Sequence, residues 1–230
     1  MPTTQSPDRW RFFVPRLAGG NLNDRLIACI GACLGVLAAA VAGLGVQDFL
    51  PALPFLIAPI GASAVLVFAV PASPLAQPWP VLGGNVVSAS VGVFVLHSVP
   101  NLAVAVAIAV AGAILLMSLL RCLHPPGGAA AITTILGGQA IVDAGYWFPV
   151  SIVAANSAAL LATGWLFHKF SDHSYPHRVA SSTSLPVGLL RADIDKAVEE
   201  AHETFDIDLA DLEALLLRAE RIAEQRRGGK

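Results

Sequence analysis

The feature that most constrains this chain is the scarcity of charge in its long central part. Between Leu26 and His168 only three residues, Asp48, Arg121 and Asp143, carry a formal charge at neutral pH. Charged side chains are costly in the hydrocarbon of a bilayer, whereas they form about 25% of a soluble domain. Here they form 13% of the chain, and 55% of the residues are hydrophobic. We therefore predict a polytopic all-α membrane protein with aqueous segments at both ends.

Six apolar segments lie between the polar ends. A helix needs about 20 residues to cross the hydrocarbon, so the first, fourth and sixth segments are long enough and the other three are marginal. We predict six crossings, two or three of them broken or re-entrant, and keep a four-span topology as the alternative. The segments run from Leu26 to Val46, Leu53 to Val70, Val81 to His97, Val99 to Leu120, Pro125 to Val142 and Tyr146 to Phe167.

The distribution of Arg and Lys predicts the orientation, because short cytoplasmic loops retain positive charge. Arg25 precedes the first segment, Arg121 follows the fourth and Lys169 follows the sixth, while the linkers after the first, third and fifth segments contain no Arg or Lys. This pattern predicts a multi-pass protein of the cell inner membrane with both termini in the cytoplasm. The predicted parts are an N-terminal cytoplasmic segment (1–24), a transmembrane domain (25–170), a linker (171–190) and a cytoplasmic amphipathic helical tail (191–230).

Two of the short segments contain similar Pro/Gly sequences, which disfavour an uninterrupted helix. Ala58 to Val65 and Pro125 to Ile132 share the pattern Pro-x-Gly-Ala, then a small residue, Ala and an aliphatic residue. With three segments in each half, the second copy would enter from the opposite side, which predicts an inverted 3+3 repeat of the kind found in transporters. The alternative is that small residues simply let helices pack closely.

The sharpest local motif runs from Arg121 to Gly128 and predicts that one helix ends near Leu123 and another begins near Pro126. A new helix N-terminus offers free backbone amides to an anion, and Pro59 would begin a second one. Ser88 and Thr134 are among the polar side chains that could replace water around an ion. The candidate substrate-binding residues are Pro59, Gly61, Ser63, Asn85, Arg121, His124, Pro125, Pro126, Gly127, Gly128, Thr133 and Asn156.

Each of these residues also has a plainer interpretation. Arg121 at the end of a helix is more often a side chain that reaches the membrane interface than a ligand. His124 could cap the last carbonyls of the preceding helix, and Asn85 and Asn156 could hydrogen-bond between helices. Their combination with the Pro/Gly breaks is what favours a binding site.

Several classes of function are disfavoured by the composition. The net charge of −2 gives no concentrated basic face for nucleic acid. Cys29, Cys33 and Cys122 show no spacing typical of metal ligands, and no nucleophile, base and carboxylate recur in a catalytic pattern. We expect no cofactor, no metal and no enzymatic activity. The expected partners are the lipid bilayer and a small inorganic anion, with a homo-oligomer left open.

Four local matches make the chain resemble the HPP family of integral membrane proteins over roughly residues 22 to 170. They are His124-Pro125-Pro126 followed by Gly-Gly-Ala, Ala58 to Ala64, Ser73 to Pro78, and Gly83-Gly84-Asn85. The resemblance implies a compact membrane domain with four spanning helices. It also implies a transport role, which in plant plastid and cyanobacterial relatives is the movement of nitrite.

Apolar residues in the tail recur at helical spacing, from Ile194 to Phe205 and again from Leu209 to Ala223. This predicts a helical hairpin whose apolar stripes need a partner surface. We expect the whole protein to be a transporter or channel for a small inorganic anion, with nitrite or nitrate as the first candidates. The alternative function is a membrane sensor that signals through this tail.

Overall fold

The structure is a computed structural model that describes residues 22–171, 173–178, 191–201 and 207–228. The predicted segment before Leu22 and most of the linker lie outside these residues, as does Phe205 of the tail. The described chain is helical. Its helices are α1 (Leu22–Gln47), α2 (Pro59–Ala69), α3 (Pro78–Ser98), α4 (Leu102–Leu119), α5 (Pro125–Leu136), α6 (Gln139–Ala144), α7 (Ala154–Phe167), α8 (Arg191–Ala201) and α9 (Leu209–Gly228), with a 3-10 turn at Pro74–Ala76 and a π turn at Pro149–Val153.

Four helical stretches in the described residues are long and apolar enough to cross a membrane. They are α1 with 26 residues, α3 with 21, α4 with 18, and the π turn with α7, which together form 19 residues. α2 has 11 residues and α5 has 12. At 1.5 Å per residue these two helices are about 17 and 18 Å long, well short of the ~30 Å hydrocarbon. Six crossings and the inverted repeat are therefore not confirmed, and the helix lengths agree with the four-span alternative.

Proline and glycine set the bounds of the two short helices. Pro59 begins α2, and Pro125 and Pro126 begin α5, because proline at the first helical positions costs no hydrogen bond. α5 ends at Leu136 with Gly137 as its C-cap, and Gly138 adopts φ 87°, a conformation that glycine tolerates without strain. The apolar segment predicted to run on to Val142 is consequently divided into α5 and α6.

α3 is the central helix of the membrane part, and it packs against α4, α5 and α7. α2 lies between α1, α5 and α7. Apolar side chains fill the space around α2, and a second apolar cluster holds α4 and α5 against α3. This arrangement places the middle of α2, the first half of α3 and the start of α5 next to one another in the interior.

The side chain of Asn156 on α7 fastens the non-helical segment before α2. Its Nδ2 donates to the carbonyl oxygens of Ala39 at 2.9 Å and Phe55 at 3.1 Å, and its Oδ1 accepts from the backbone N–H of Ile57 at 3.1 Å. The bonds to Phe55 and Ile57 satisfy backbone groups that this non-helical segment would otherwise leave unpaired in an apolar bundle, and the bond to Ala39 ties α7 to α1. Asn156 is therefore occupied by structural bonds, which agrees with the plainer interpretation that it hydrogen-bonds between helices.

Replacement of Asn156 by Leu should lower the stability of the membrane domain by roughly 2–4 kcal/mol, because buried backbone groups lose their partners. The measurement is the thermal unfolding midpoint of the purified protein in detergent. Asn101→Ser is the matched control, since Asn101 is an exposed N-cap that accepts from Val104 N–H and Ser can cap as well. Equal midpoints for Asn156→Leu and the control would contradict the account.

A short segment after α7, residues 168–171 and 173–178, which we name the strap, holds the loop between α2 and α3. The hydroxyl of Tyr175 donates to the carbonyl of Ala76 at 2.7 Å, and burial raises the pKa of that hydroxyl. The backbone N–H of His177 donates to Oε1 of Gln77, whose Nε2 donates to the carbonyl of Ser73. His177 Nε2 also lies 2.9 Å from Asp211 Oδ1 on α9. The strap thus connects the tail with the loop that leads into α3.

Candidate functional site

Five fully buried polar side chains meet where α2, α3, α5 and α7 come together. They share 0% exposure in a bundle whose other buried side chains are mostly apolar. Burying a polar group without a partner costs about 1–3 kcal/mol, so such a concentration is a functional candidate unless all its groups are satisfied. We name this group the buried polar cluster: Ser63, Asn85, Ser88, His124 and Ser157.

His124 takes its position from the two prolines that follow it. A residue before proline is held in extended geometry, and His124, the N-cap of α5, has φ −140° and ψ 108°. Gly84 on α3 permits the close approach, because a Cβ there would lie 2.5 Å from the Cβ of His124. The imidazole therefore points into the bundle instead of capping the carbonyls of α4, which was one of the plainer interpretations.

Two hydrogen bonds fix the imidazole of His124. Nδ1 lies 2.9 Å from the carbonyl oxygen of Leu75, and Nε2 lies 2.8 Å from the hydroxyl of Ser63. Because a carbonyl can only accept, Nδ1 carries a hydrogen and donates it to Leu75. In the neutral ring Nε2 is therefore a bare acceptor that faces Ser63.

Asn85 links this pair to α7. Its Nδ2 lies 3.3 Å from the hydroxyl oxygen of Ser63 and 3.3 Å from that of Ser157. Hydrogen bonds thus run from the carbonyl of Leu75 through His124, Ser63 and Asn85 to Ser157. The chain passes through three helices and the start of a fourth.

Two atoms of the buried polar cluster have no hydrogen-bond partner. They are Oδ1 of Asn85 and Oγ of Ser88, which lie on neighbouring positions of one face of α3. A buried polar atom without a partner is uncommon in a folded protein and calls for a small polar ligand or water. These two atoms make the buried polar cluster a place where such a ligand could bind.

The expectation of free amides at the two helix N-termini is wrong in part. The N–H of Gly127 donates to the carbonyl of His124 at 2.8 Å, and the N–H of Gly61 donates to the carbonyl of Ala58 at 3.1 Å. Pro125 and Pro126 carry no N–H at all, so the residues that begin α5 also remove its orphan donors. Side chains, more than backbone amides, provide the polar atoms at this place.

Two of the other predicted site residues, Gly61 and Gly128, face away from the buried polar cluster. Gly61 has nothing within 4 Å of the position of a Cβ, and Gly128 has a single neighbour, Val110, at 4.0 Å. Both glycines therefore face outward and do not bring a backbone close to the cluster. Thr133 is half-buried on α5, while Thr134 is buried and donates to its own helix at the carbonyl of Ala130.

Arg121 is exposed and ends α4 in a left-handed conformation with φ 53°. The N–H of Cys122 donates to the carbonyl of Met117 at 2.9 Å, and the N–H of Arg121 donates to that of Ser118 at 3.2 Å. These bonds form a Schellman motif, which usually has glycine at the position that Arg121 occupies. The exposure agrees with the interpretation that Arg121 reaches the membrane interface and is not a ligand in the interior.

Arg121→Gly should raise the unfolding midpoint of the protein, since glycine adopts this conformation without the cost of about 1 kcal/mol that other residues bear. Arg121→Val should lower it, because a β-branched side chain is strained there. The measurement is thermal unfolding in detergent. Arg121→Asn is the matched control: it removes the charge but tolerates the left-handed conformation, so a large loss of stability in Arg121→Asn would assign the role of Arg121 to its charge.

A separate open groove of about 500 Å³ lies between α3 and α4. Its lining is apolar, with Val91, Phe94 and Ile108 among the side chains and Tyr146 at one side. Such a surface suits lipid chains and offers little to an inorganic ion. No residue of the buried polar cluster lines it.

Sequence reasoning missed two participants, the hydroxyl of Ser157 and the carbonyl of Leu75. Ser157 follows Asn156 directly, yet only the packing of α7 on α3 shows that it meets Asn85. The carbonyl of Leu75 has no signature in a sequence, because every residue has a carbonyl. Ser63, Asn85 and His124 were predicted and are brought together.

Comparison with known proteins agrees with this architecture. A family model described as the HPP transmembrane region matches residues 18–176. The chain belongs to the HPP family. This confirms the resemblance drawn from the four local motifs and, with the four helices long enough to cross, identifies an integral membrane protein.

Two transmembrane proteins of Dictyostelium discoideum are among the relatives of this HPP protein. One is 37% identical over 126 residues, which cover 53% of this chain and 44% of the relative. The other is 36% identical over 127 residues, which cover 53% of this chain and 40% of the relative. The chain thus spans less than half the length of these relatives. No solved structure matches it.

Proposed function

We propose that this HPP protein transports a small inorganic anion, with nitrite and nitrate as first candidates, and that the ion passes the buried polar cluster. The observation that carries the proposal is the pair of unpartnered buried atoms, Asn85 Oδ1 and Ser88 Oγ, beside the His124–Ser63 hydrogen bond. An ionisable side chain in the interior of a membrane bundle, such as His124, often marks a solute or proton route, because it is costly there. The family resemblance supports a transport role over a catalytic one.

The size and chemistry of the cluster favour a small solute with few hydrogen bonds. Its members are short side chains, two of them hydroxyls adjoining Asn85, and none is permanently charged. Among the described residues no Asp, Glu, Lys or Arg is buried, so a metal cation would meet no carboxylate. Hydroxyl, amide and imidazole groups can replace part of the water around a small anion.

The direct test is flux into proteoliposomes that contain the purified full chain. Nitrite and nitrate should enter faster than into protein-free vesicles, and chloride and a neutral solute serve as comparisons. Asn85→Leu should reduce the protein-dependent flux about tenfold or more, since about 1.4 kcal/mol of lost stabilisation suffices for tenfold. Ser98→Ala is the matched control on the same helix, because Ser98 is exposed and its hydroxyl donates to its own helix at Phe94.

Two results would contradict the proposal. One is the absence of protein-dependent flux of either anion although the protein is monodisperse and retains its helical circular dichroism. The other is unchanged flux in a folded Asn85→Leu protein, which would remove the buried polar cluster from the route.

A second candidate function, a membrane sensor that signals through its tail, is favoured by the contact between the strap and α9. His177 pairs with Asp211 and also donates to Gln77, in the loop whose Leu75 carbonyl accepts from His124. Occupancy of the cluster could thus be read by the tail. Removal of residues 191–230 separates the two functions: a sensor would lose its output while the flux of a transporter would persist.

A further inference from the structure

The hydroxyl of Ser63 has one hydrogen and two acceptors within reach. Its oxygen lies 2.8 Å from Nε2 of His124 and 3.1 Å from the carbonyl oxygen of Pro59. A single hydrogen can serve only one of the two acceptors at a time. The direction of this hydroxyl therefore depends on whether Nε2 already carries a proton.

In the neutral ring, Ser63 donates to Nε2 of His124. Its oxygen then accepts from Asn85, which fixes Nδ2 of the amide toward Ser63 and leaves Oδ1 as the unpartnered atom. A carbonyl-type oxygen at that position repels an anion. The neutral form of the cluster is therefore a poor anion site.

When a proton binds Nε2, the ring donates to the oxygen of Ser63. The hydroxyl hydrogen of Ser63 stays on its oxygen but no longer points to Nε2. The hydrogen can then point to Pro59 or to the amide of Asn85. Both neighbours of this amide, Ser63 and Ser157, are hydroxyls that can donate as well as accept. The side-chain amide of Asn85 can consequently flip, exchanging the places of Oδ1 and Nδ2, without losing either bond. The flip brings its NH₂ group to the unpartnered position.

We propose that the anion binds beside Asn85 and Ser88 together with a proton on Nε2 of His124, so that anion and proton move as a pair. This inference rests on the proposed function and adds the co-transported ion. The Ser88 hydroxyl can donate to the anion in either form, but the Asn85 amide donates only in the protonated form, which gives the anion a different affinity for the two forms. One anion and one proton enter from one side and leave on the other, and no net charge crosses.

His124 is the titratable side chain of the buried polar cluster, and the helices around the cluster add few others. α2, α5 and α7 contain no titratable residue, and α3 contains only His97, which is exposed at its far end. The other titratable groups around these helices are Cys122 and Arg121 before His124, Tyr175, which donates to Ala76 next to Leu75, and His168, whose Nε2 lies 2.9 Å from the carbonyl of Val67 on α2. A negative charge beside the protonated ring would therefore be balanced by that ring, since no other cation enters the cluster from the helices around it.

The test uses the full chain in proteoliposomes with equal potassium and valinomycin on both sides, which holds the membrane potential at zero. A pH difference of about one unit, acid outside, should drive nitrate inward to about a tenfold accumulation, and a trapped pH dye should report one proton per nitrate. Nitrate is the main probe, because nitric acid does not cross bilayers as a neutral molecule to a useful extent. Nitrite is measured alongside with protein-free vesicles subtracted.

His124→Asn is the decisive variant, because its amide can still donate to the carbonyl of Leu75 but cannot take up a proton. It should lose the pH-driven accumulation and the proton uptake. His97→Asn is the matched control and should behave as the unmodified protein does. Accumulation of nitrate driven by the pH difference in a folded His124→Asn protein would overturn the inference.

The outcomes separate this inference from the proposed function. Anion flux that follows an imposed voltage and ignores the pH difference would leave the transport function standing and refute the pairing with a proton. Absence of flux for both anions would refute the transport function, and the inference with it.

Discussion

The bridge that His124 makes between the carbonyl of Leu75 and the hydroxyl of Ser63 is the interaction on which the interior of this protein depends. It ties the start of α5 to the middle of α2 and to the loop before α3, at 2.9 and 2.8 Å. The loop is in turn held by the strap, through Tyr175 and His177. Without this bridge, the buried imidazole of His124 would have no hydrogen-bond partner, and the start of α5 would lose its polar link to α2 and to the loop before α3.

Electrostatics limits what such an interior can carry. Burying a single charge in a bundle without a permanent countercharge costs much free energy. An anion buried next to a proton-bearing cation costs much less, because the two charges cancel. The buried polar cluster offers dipoles and one titratable ring, which suits the transient binding of a small anion better than its lasting capture. The unpartnered atoms on α3 also favour ligand binding. A site whose polar atoms were all hydrogen-bonded in the empty protein would gain few new hydrogen bonds when a ligand binds.

Much of the fold and part of the buried polar cluster could be predicted from the sequence, because the strongest signals in the sequence are local. The scarcity of charge predicts a membrane protein, and Pro59, Pro125 and Pro126 predict where α2 and α5 begin. Six crossings were expected because hydropathy measures apolar length but does not register that Pro59 and Gly138 shorten the helices inside apolar segments. The prediction of free amides is wrong in part because the N–H groups of Gly127 and Gly61 donate to carbonyls of their own first turns, and because proline carries no N–H. Contacts such as Asn85 with Ser157 join residues 72 positions apart, and a single sequence holds no trace of that pairing.

The most direct test of the account is the protonation of the His124 ring, measured by nitrogen-15 solid-state NMR of the full chain in lipid bilayers. The signals of His124 are assigned by their loss in His124→Asn. Above its pKa, His124 should carry its hydrogen on Nδ1 and leave Nε2 bare, because the carbonyl of Leu75 requires a donor. On acidification Nε2 should become protonated while Nδ1 keeps its hydrogen. A neutral ring with the hydrogen on Nε2 would contradict the bridge and the arrangement of the cluster built on it.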